Sequence, residues 1–306
     1  MQIYLPIAEL PVSIFLMLGM AAAVGFISGM FGVGGGFLMT PLLVFVGVPP
    51  AVAVATGAPQ IAAASMTSVL SYWRRNALDS KLAGVLICGG VLGSVLGVLF
   101  FNAMRRAGYF ELVLVVSYVA LLGSVGGLML VESLRATLMP KRIKKAVAGP
   151  RPQPFAGLPW PMHFPRSGLT ISVVPVLLLG LFIGFAGSVL GIGGGFIVVP
   201  VLIYVLRVPA AMVVGTSLLQ ILCTMMAATL LHAVTNQSVD LVLALILIVG
   251  SVIGAQFGAR AGMNLKGEHF RLLLAVLVFG VAVRFAMELG FTPAELFSIA
   301  PGEGRS

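Results

Sequence analysis

The chain has 306 residues, of which 59% are hydrophobic and only 9% charged, and its net charge is +9. A soluble protein carries roughly 25% charged residues, so water is excluded as the main solvent and a lipid bilayer takes its place. The positive balance does not point to nucleic acid, because Lys and Arg crowd short polar loops and form no face interleaved with aromatics.

From Leu10 to Trp73 there is no Asp, Glu, Lys or Arg, a run long enough for about three helices of ~20 residues. The first apolar segment lacks the basic start of a secretory signal and runs straight into more apolar sequence, so it is expected to stay in the mature protein. Long helices are predicted at 13–31, 51–72, 82–104 and 109–131, with a shorter one at 36–48 between a Gly-rich break and Pro49-Pro50. Residues 132–170 contain K-R-I-K-K and then G-P-R-P-Q-P-F-A-G-L-P-W-P-M-H-F-P, too polar and Pro-rich to cross a membrane. They are expected to form a basic cytoplasmic linker. Beyond it helices are predicted at 172–190, 196–206, 210–234, 239–262 and 270–290.

The second series repeats the first. Shifted by 159 residues, Gly25, Gly32, Gly34, Gly35, Gly36, Phe37 and Pro41 fall on Gly184, Gly191, Gly193, Gly194, Gly195, Phe196 and Pro200. Shifted by 160, Thr56, Gln60 and Ile61 fall on Thr216, Gln220 and Ile221, and shifted by 161, Gly89, Gly93 and Gly97 fall on Gly250, Gly254 and Gly258. The expected fold is an all-α integral membrane protein of two homologous repeats, 1–131 and 171–306, joined by the 132–170 linker. Each repeat has four long transmembrane helices and one short, broken or re-entrant helix after a GxGGG turn. Were the repeats inverted, Arg74, Arg75, Lys81, the linker's basic residues, Arg260, Lys266 and Arg271 would share the cytoplasmic side, leaving Arg105 and Arg106 as the clear exceptions. The positive-inside rule therefore favours inversion.

G-V-G-G-G-F followed by Pro41, G-I-G-G-G-F followed by Pro200, and G-T-S-L-L-Q at 215–220 together resemble the sulfite exporter TauE/SafE family of small membrane permeases. The resemblance covers both halves but not the linker. In the first half A-T-G-A-P-Q departs from G-T-S-L-L-Q, so the two halves need not contribute equally to a site. What the resemblance implies is a transporter that exports sulfite, a sulfonate or a related small anion, located in the bacterial inner membrane.

The candidate substrate contacts are Gly34, Gly35, Gly36, Gly193, Gly194 and Gly195, with Thr56, Gln60, Thr216, Ser217 and Gln220. Glycine takes positive φ cheaply, and a helix restarting after such a break exposes unpaired amide N–H groups suited to an anion. Broken helices beside a substrate are a recurring transporter device. A glutamine amide can donate to a sulfonate oxygen without burying a permanent charge. The competing explanations are a tight packing bend for the glycines and helix-to-helix hydrogen bonding for the polar side chains. The glycine ladders at four-residue spacing predict packing seams, and His232 is expected to be a satisfied histidine rather than a proton relay. Cys88 and Cys223 have no metal-site spacing. With no catalytic constellation, P-loop or metal motif, neither an enzyme nor a cofactor is expected. The remaining alternatives are a permease for another small solute, such as a carboxylate or a metal cation, and a non-transporting membrane assembly protein.

Overall fold

The computed structural model describes residues 2–31, 34–138, 159–261 and 267–290. Gly32, the K-R-I-K-K run and Lys266 lie outside the described residues.

The chain opens with a hairpin of β1 (Gln2–Leu5) and β2 (Leu10–Ser13), followed by α1 (Ile14–Phe31), α2 (Gly36–Phe45), α3 (Pro50–Trp73), α4 (Ser80–Arg106) and α5 (Phe110–Leu138). A second hairpin, β3 (Pro161–Phe164) and β4 (Leu169–Ser172), leads into α6 (Val173–Leu190), α7 (Gly195–Pro200), α8 (Ala210–Asn236), α9 (Leu241–Ala261) and α10 (Gly267–Gly290). Beyond Pro200 the chain winds one π-helical turn, Val201–Val205. The protein is therefore mostly helical rather than all-α. Among the described residues six helices are long and apolar enough to cross a membrane: α1, α4, α5, α6, α8 and α9. Helix α3 is not among them, because it is rich in Ala, Ser, Thr and Gly; it lies instead largely buried inside the bundle.

Local chemistry sets the helix starts. Proline stands at the first position of α3, where a missing N–H costs nothing. The Asp79 carboxylate accepts from the Lys81 and Leu82 amides to cap α4, and Ser172 accepts from Val174 to cap α6. Both hairpins are antiparallel, pairing Gln2 with Ser13 and Pro161 with Ser172. Each turn contains one left-handed residue, Glu9 (φ 55°) or Gly168 (φ 64°). Leu5 and Val12 of the first hairpin are buried, as are Phe164 and Ile171 of the second. Within the segment expected to be a linker, residues through Leu138 continue α5, and Phe164 packs into a core with Leu82, Leu86, Ile171, Val176 and Ile183.

Two glycine seams organise the main compact unit, which holds α1 to α4 and α6 to α9. Helix α1 lies along α9, and α4 along α6, so each seam joins an early helix to a late one. A Cβ placed at Gly250 would sit 2.7 Å from the Leu18 carbonyl oxygen, and one at Gly97 2.7 Å from that of Phe185. Gly254 and Gly258 abut the Ala22 and Phe26 carbonyls, while Gly89, Gly93 and Gly184 abut those of Leu177, Leu181 and Gly90. These contacts advance together along both helices, so each pair runs parallel. Small residues allow backbones to approach closely where lipid supplies no hydrophobic drive. The ladders are packing seams, as their spacing predicted.

The far end of α5 and helix α10 form a second compact unit. Within it Tyr118 stacks on Phe285 with ring centroids 5.2 Å apart, and Gly126 faces Val278 and Phe279.

Candidate functional site

The breaks after α1 and α6 meet inside the main unit. Gly35 (φ 58°) and Gly194 (φ 74°) are the residues before α2 and α7, and both occupy the left-handed region that side-chain-bearing residues avoid. Being glycine, neither caps its helix with a side chain. The two segments run past each other in opposite directions. A Cβ on Gly193 would lie 3.3 Å from the Gly34 carbonyl oxygen, and one on Gly36 2.5 Å from that of Gly191. Thr40 ties the crossing by donating to the Gly191 carbonyl at 3.1 Å, and Phe37 and Phe196 meet with centroids 5.7 Å apart. Ile61 of α3 and Ile221 of α8 close over the crossing: both methyl-bearing side chains touch the sites of Gly34 and Gly193.

Gln60 and Gln220, the neighbours of those isoleucines, are wholly buried. Their surroundings differ. The Gln220 amide nitrogen donates to Thr224 at 3.0 Å and faces Gly90 of α4, while its carbonyl oxygen has no partner. Neither the oxygen nor the nitrogen of Gln60 has one. The hydroxyls of Ser28, Ser65 and Ser188 are also buried and unpartnered. An unpaired buried polar group costs about 1–3 kcal/mol. The side chains of Ser28 and Val24 stand against Gly35.

The hydroxyls proposed from sequence are otherwise engaged. Thr56 accepts from the Asp240 amide at 3.0 Å, and Thr216 accepts from the Asp79 amide at 3.1 Å while donating to the Met212 carbonyl. Ser217 donates to the Val214 carbonyl. Thr56 and Thr216 belong to two similar latches. In one, Asp240 caps α9 through the Leu243 amide and accepts from the amides of Ile7 and Ala8 in the first hairpin turn. In the other, Asp79 caps α4 and accepts from the Ser167 amide at 3.0 Å and its hydroxyl at 2.7 Å, with Arg166 donating to the Leu78 carbonyl. The latches sit at opposite ends of α4. One includes Asp79, just before the helix begins, and at the far end Arg105 donates to Ser238, two residues from Asp240. Because Thr56 near the start of α3 reaches Asp240 in the loop that follows α8, and Thr216 near the start of α8 reaches Asp79 in the loop that follows α3, those two helices run antiparallel.

Sequence reasoning missed Asp79 and Asp240. A signal existed: both precede a helix, stand three residues before a leucine, and match at the 161-residue shift.

His232 is buried with both ring nitrogens occupied, Nε2 on the Ser188 carbonyl at 3.0 Å and Nδ1 on the Asn236 amide at 2.8 Å. A carbonyl only accepts, so Nε2 carries the proton and Nδ1 accepts from Asn236. Phe101 meets the ring edge-on. This is the satisfied histidine expected from sequence.

Comparison with known proteins agrees with the membrane architecture. A "probable membrane transporter protein" of Xylella fastidiosa (strain 9a5c) is 30% identical over 281 residues, covering 89% of this chain and 94% of its own. A "probable membrane transporter protein YjnA" of Bacillus subtilis (strain 168) is 27% identical, covering 87% and 96%. A transporter so described from Methanocaldococcus jannaschii is 24% identical, covering 89% and 96%. No solved structure matches the chain. The family model described as Sulfite exporter TauE/SafE matches residues 17–285. The chain is a multi-pass integral membrane transporter, not an enzyme, and belongs to the sulfite exporter TauE/SafE family.

Proposed function

We propose that this transporter exports sulfite, a sulfonate or a related small sulfur-containing anion across the bacterial inner membrane, through two homologous halves inserted in opposite senses. The carrying observation is the crossing of two glycine breaks, with a buried Gln60 on α3 that has no partner at either end and a Gln220 whose oxygen has none. Crossed breaks at the junction of inverted halves are where transporters of several folds hold their substrates. The halves' inversion is supported by the hairpins, which precede α1 and α6 and latch at opposite ends of α4. Donors at the crossing would be the Gln60 amide and amides of the Gly34, Gly35, Gly36 and Gly193, Gly194, Gly195 breaks, other than those of Gly36, Leu38, Met39, Ile197 and Val198, which already bond Gly34, Gly35 or Gly194. The Gln220 nitrogen is committed to Thr224. Ile61 and Ile221 would separate the two sides. Thr56 and Thr216 are assigned to the latches rather than to the anion. A cation cargo is disfavoured, because both carboxylate oxygens of Asp79 and of Asp240 already accept amide or hydroxyl hydrogens.

The mid-span regions offer no carboxylate for proton coupling, whereas an interior-negative potential supplies about 2.3 kcal/mol per charge per 100 mV to a departing anion. The test is sulfite efflux from proteoliposomes under an imposed potassium–valinomycin potential. Efflux that rises with the potential and vanishes in Gly35→Val and Gly194→Val protein is expected. Flux of sulfite, methanesulfonate and thiosulfate all no greater than in empty liposomes would rule the reading out.

A further inference from the structure

Aligned on the glycine blocks, the two halves differ where they line the crossing. In the second half the Met225 side chain ends against Gly187, 2.7 Å from where a Cβ would stand. The matching residues of the first half are Ser65 and Ser28, both buried and both without hydrogen-bond partners. In the second half Thr224 takes the Gln220 amide. Its counterpart is Ala64, which can take nothing, and Gln60 is left with both ends unpaired. The second half is thus partly filled and partly self-satisfied, with two buried atoms unpaired, the Gln220 oxygen and the Ser188 hydroxyl. In the first half four buried polar atoms on three side chains stand open: the two hydroxyls and both ends of the Gln60 amide.

We infer that the substrate site belongs to the first half, on Gln60 with Ser65 and Ser28 beside the Gly35 break, and that it takes a singly charged oxyanion. This rests on the permease reading above. Hydroxyls and an amide nitrogen donate to anion oxygens, and the Gln60 carbonyl oxygen can accept from a protonated oxygen of the guest. No Lys or Arg is among the buried side chains of the described residues. The cost of desolvating an ion grows with the square of its charge, so neutral donors suit a monovalent anion far better than a divalent one. The second half keeps its glutamine as a helix-stabilising group with Thr224.

The experiment measures labelled sulfite transport by the full chain in proteoliposomes at a pH where hydrogen sulfite is populated, with methanesulfonate and sulfate as competitors. Gln60→Leu is expected to raise the half-saturating concentration about tenfold or more, and the double variant Ser28→Ala, Ser65→Ala several-fold. Gln220→Leu and Thr224→Ala are expected to leave it within about threefold. Methanesulfonate should compete and sulfate should not. Melting of the purified variants supplies a second readout: Gln60→Leu removes an unpaired group and should melt no lower than the parent protein, which a structural role would not allow. Equal effects of Gln60→Leu and Gln220→Leu would overturn the one-sided site while leaving the permease intact, and sulfate competing as well as methanesulfonate would overturn the charge assignment. A chain that moves neither sulfite nor methanesulfonate overturns the permease reading and this site with it.

Discussion

The glycines divide by what faces them. Gly93 and Gly254 point their missing side chains into the carbonyls of Leu181 and Ala22, whereas Gly19, also inside a helix, has nothing within 4 Å. Backbone cannot retreat as a flexible side chain can, so a methyl at either seam position must push the paired helices away from each other. Gly93→Ala and Gly254→Ala are each expected to cost about 1–3 kcal/mol. Gly19→Ala should be neutral or should gain up to about 1 kcal/mol from helix propensity. Thermal melts in detergent check this, and three indistinguishable melting temperatures would contradict the seam geometry. The four-residue spacing made these positions legible in the sequence, because a single helix face is a local property. Which helix each face meets was not legible, since that depends on contacts between residues far apart in the chain. The same distinction explains the candidate site. The glycine breaks and the matched glutamines were visible as local pattern, but the partners of the Thr56 and Thr216 hydroxyls, the Asp240 and Asp79 amides, were not, because they lie in the opposite half.

Among the elements, helices followed from hydropathy and the hairpins did not. Each strand has only four residues, and Pro11 and Pro161 stand within strands, a composition that reads as coil. What holds the hairpins is not strand propensity but Asp240 and Asp79, each binding a turn and a helix start at once. Replacing either aspartate with asparagine puts an NH₂ group against N–H donors. Asp79→Asn and Asp240→Asn should each destabilise by about 1–3 kcal/mol. Ser167→Ala, which removes one hydroxyl bond and keeps the amide bond, should cost about 1 kcal/mol. Unchanged melting of both aspartate variants would show that the hairpins are held by burial of Leu5, Val12, Phe164 and Ile171 alone.

At the scale of the whole molecule, the two ends of α4 mark the two sides of the membrane. Asn76, shortly before α4, and Gln237, near its far end at Ser238, are both exposed. With Cys88 and Cys223 replaced by alanine, a single cysteine at Asn76 should react with an impermeant maleimide from the cytoplasmic side and one at Gln237 from the other. Labelling of both from one side would be incompatible with α4 spanning the bilayer between them.

The seams also impose an order in time. Helix α4 meets its partner α6 about seventy residues after it is made, whereas α1 waits about two hundred residues for α9. At synthesis rates of roughly 5–20 residues per second, α1 stands without its partner for on the order of ten to forty seconds. Throughout that interval Gly25 and Gly29, destined for the Ser251 and Ala255 carbonyls, have only lipid or the insertion machinery for company. The α4–α6 pair is therefore the first seam that can close and α1–α9 the last, so a ribosome stalled before Leu241 would leave a chain zipped along one edge and open along the other.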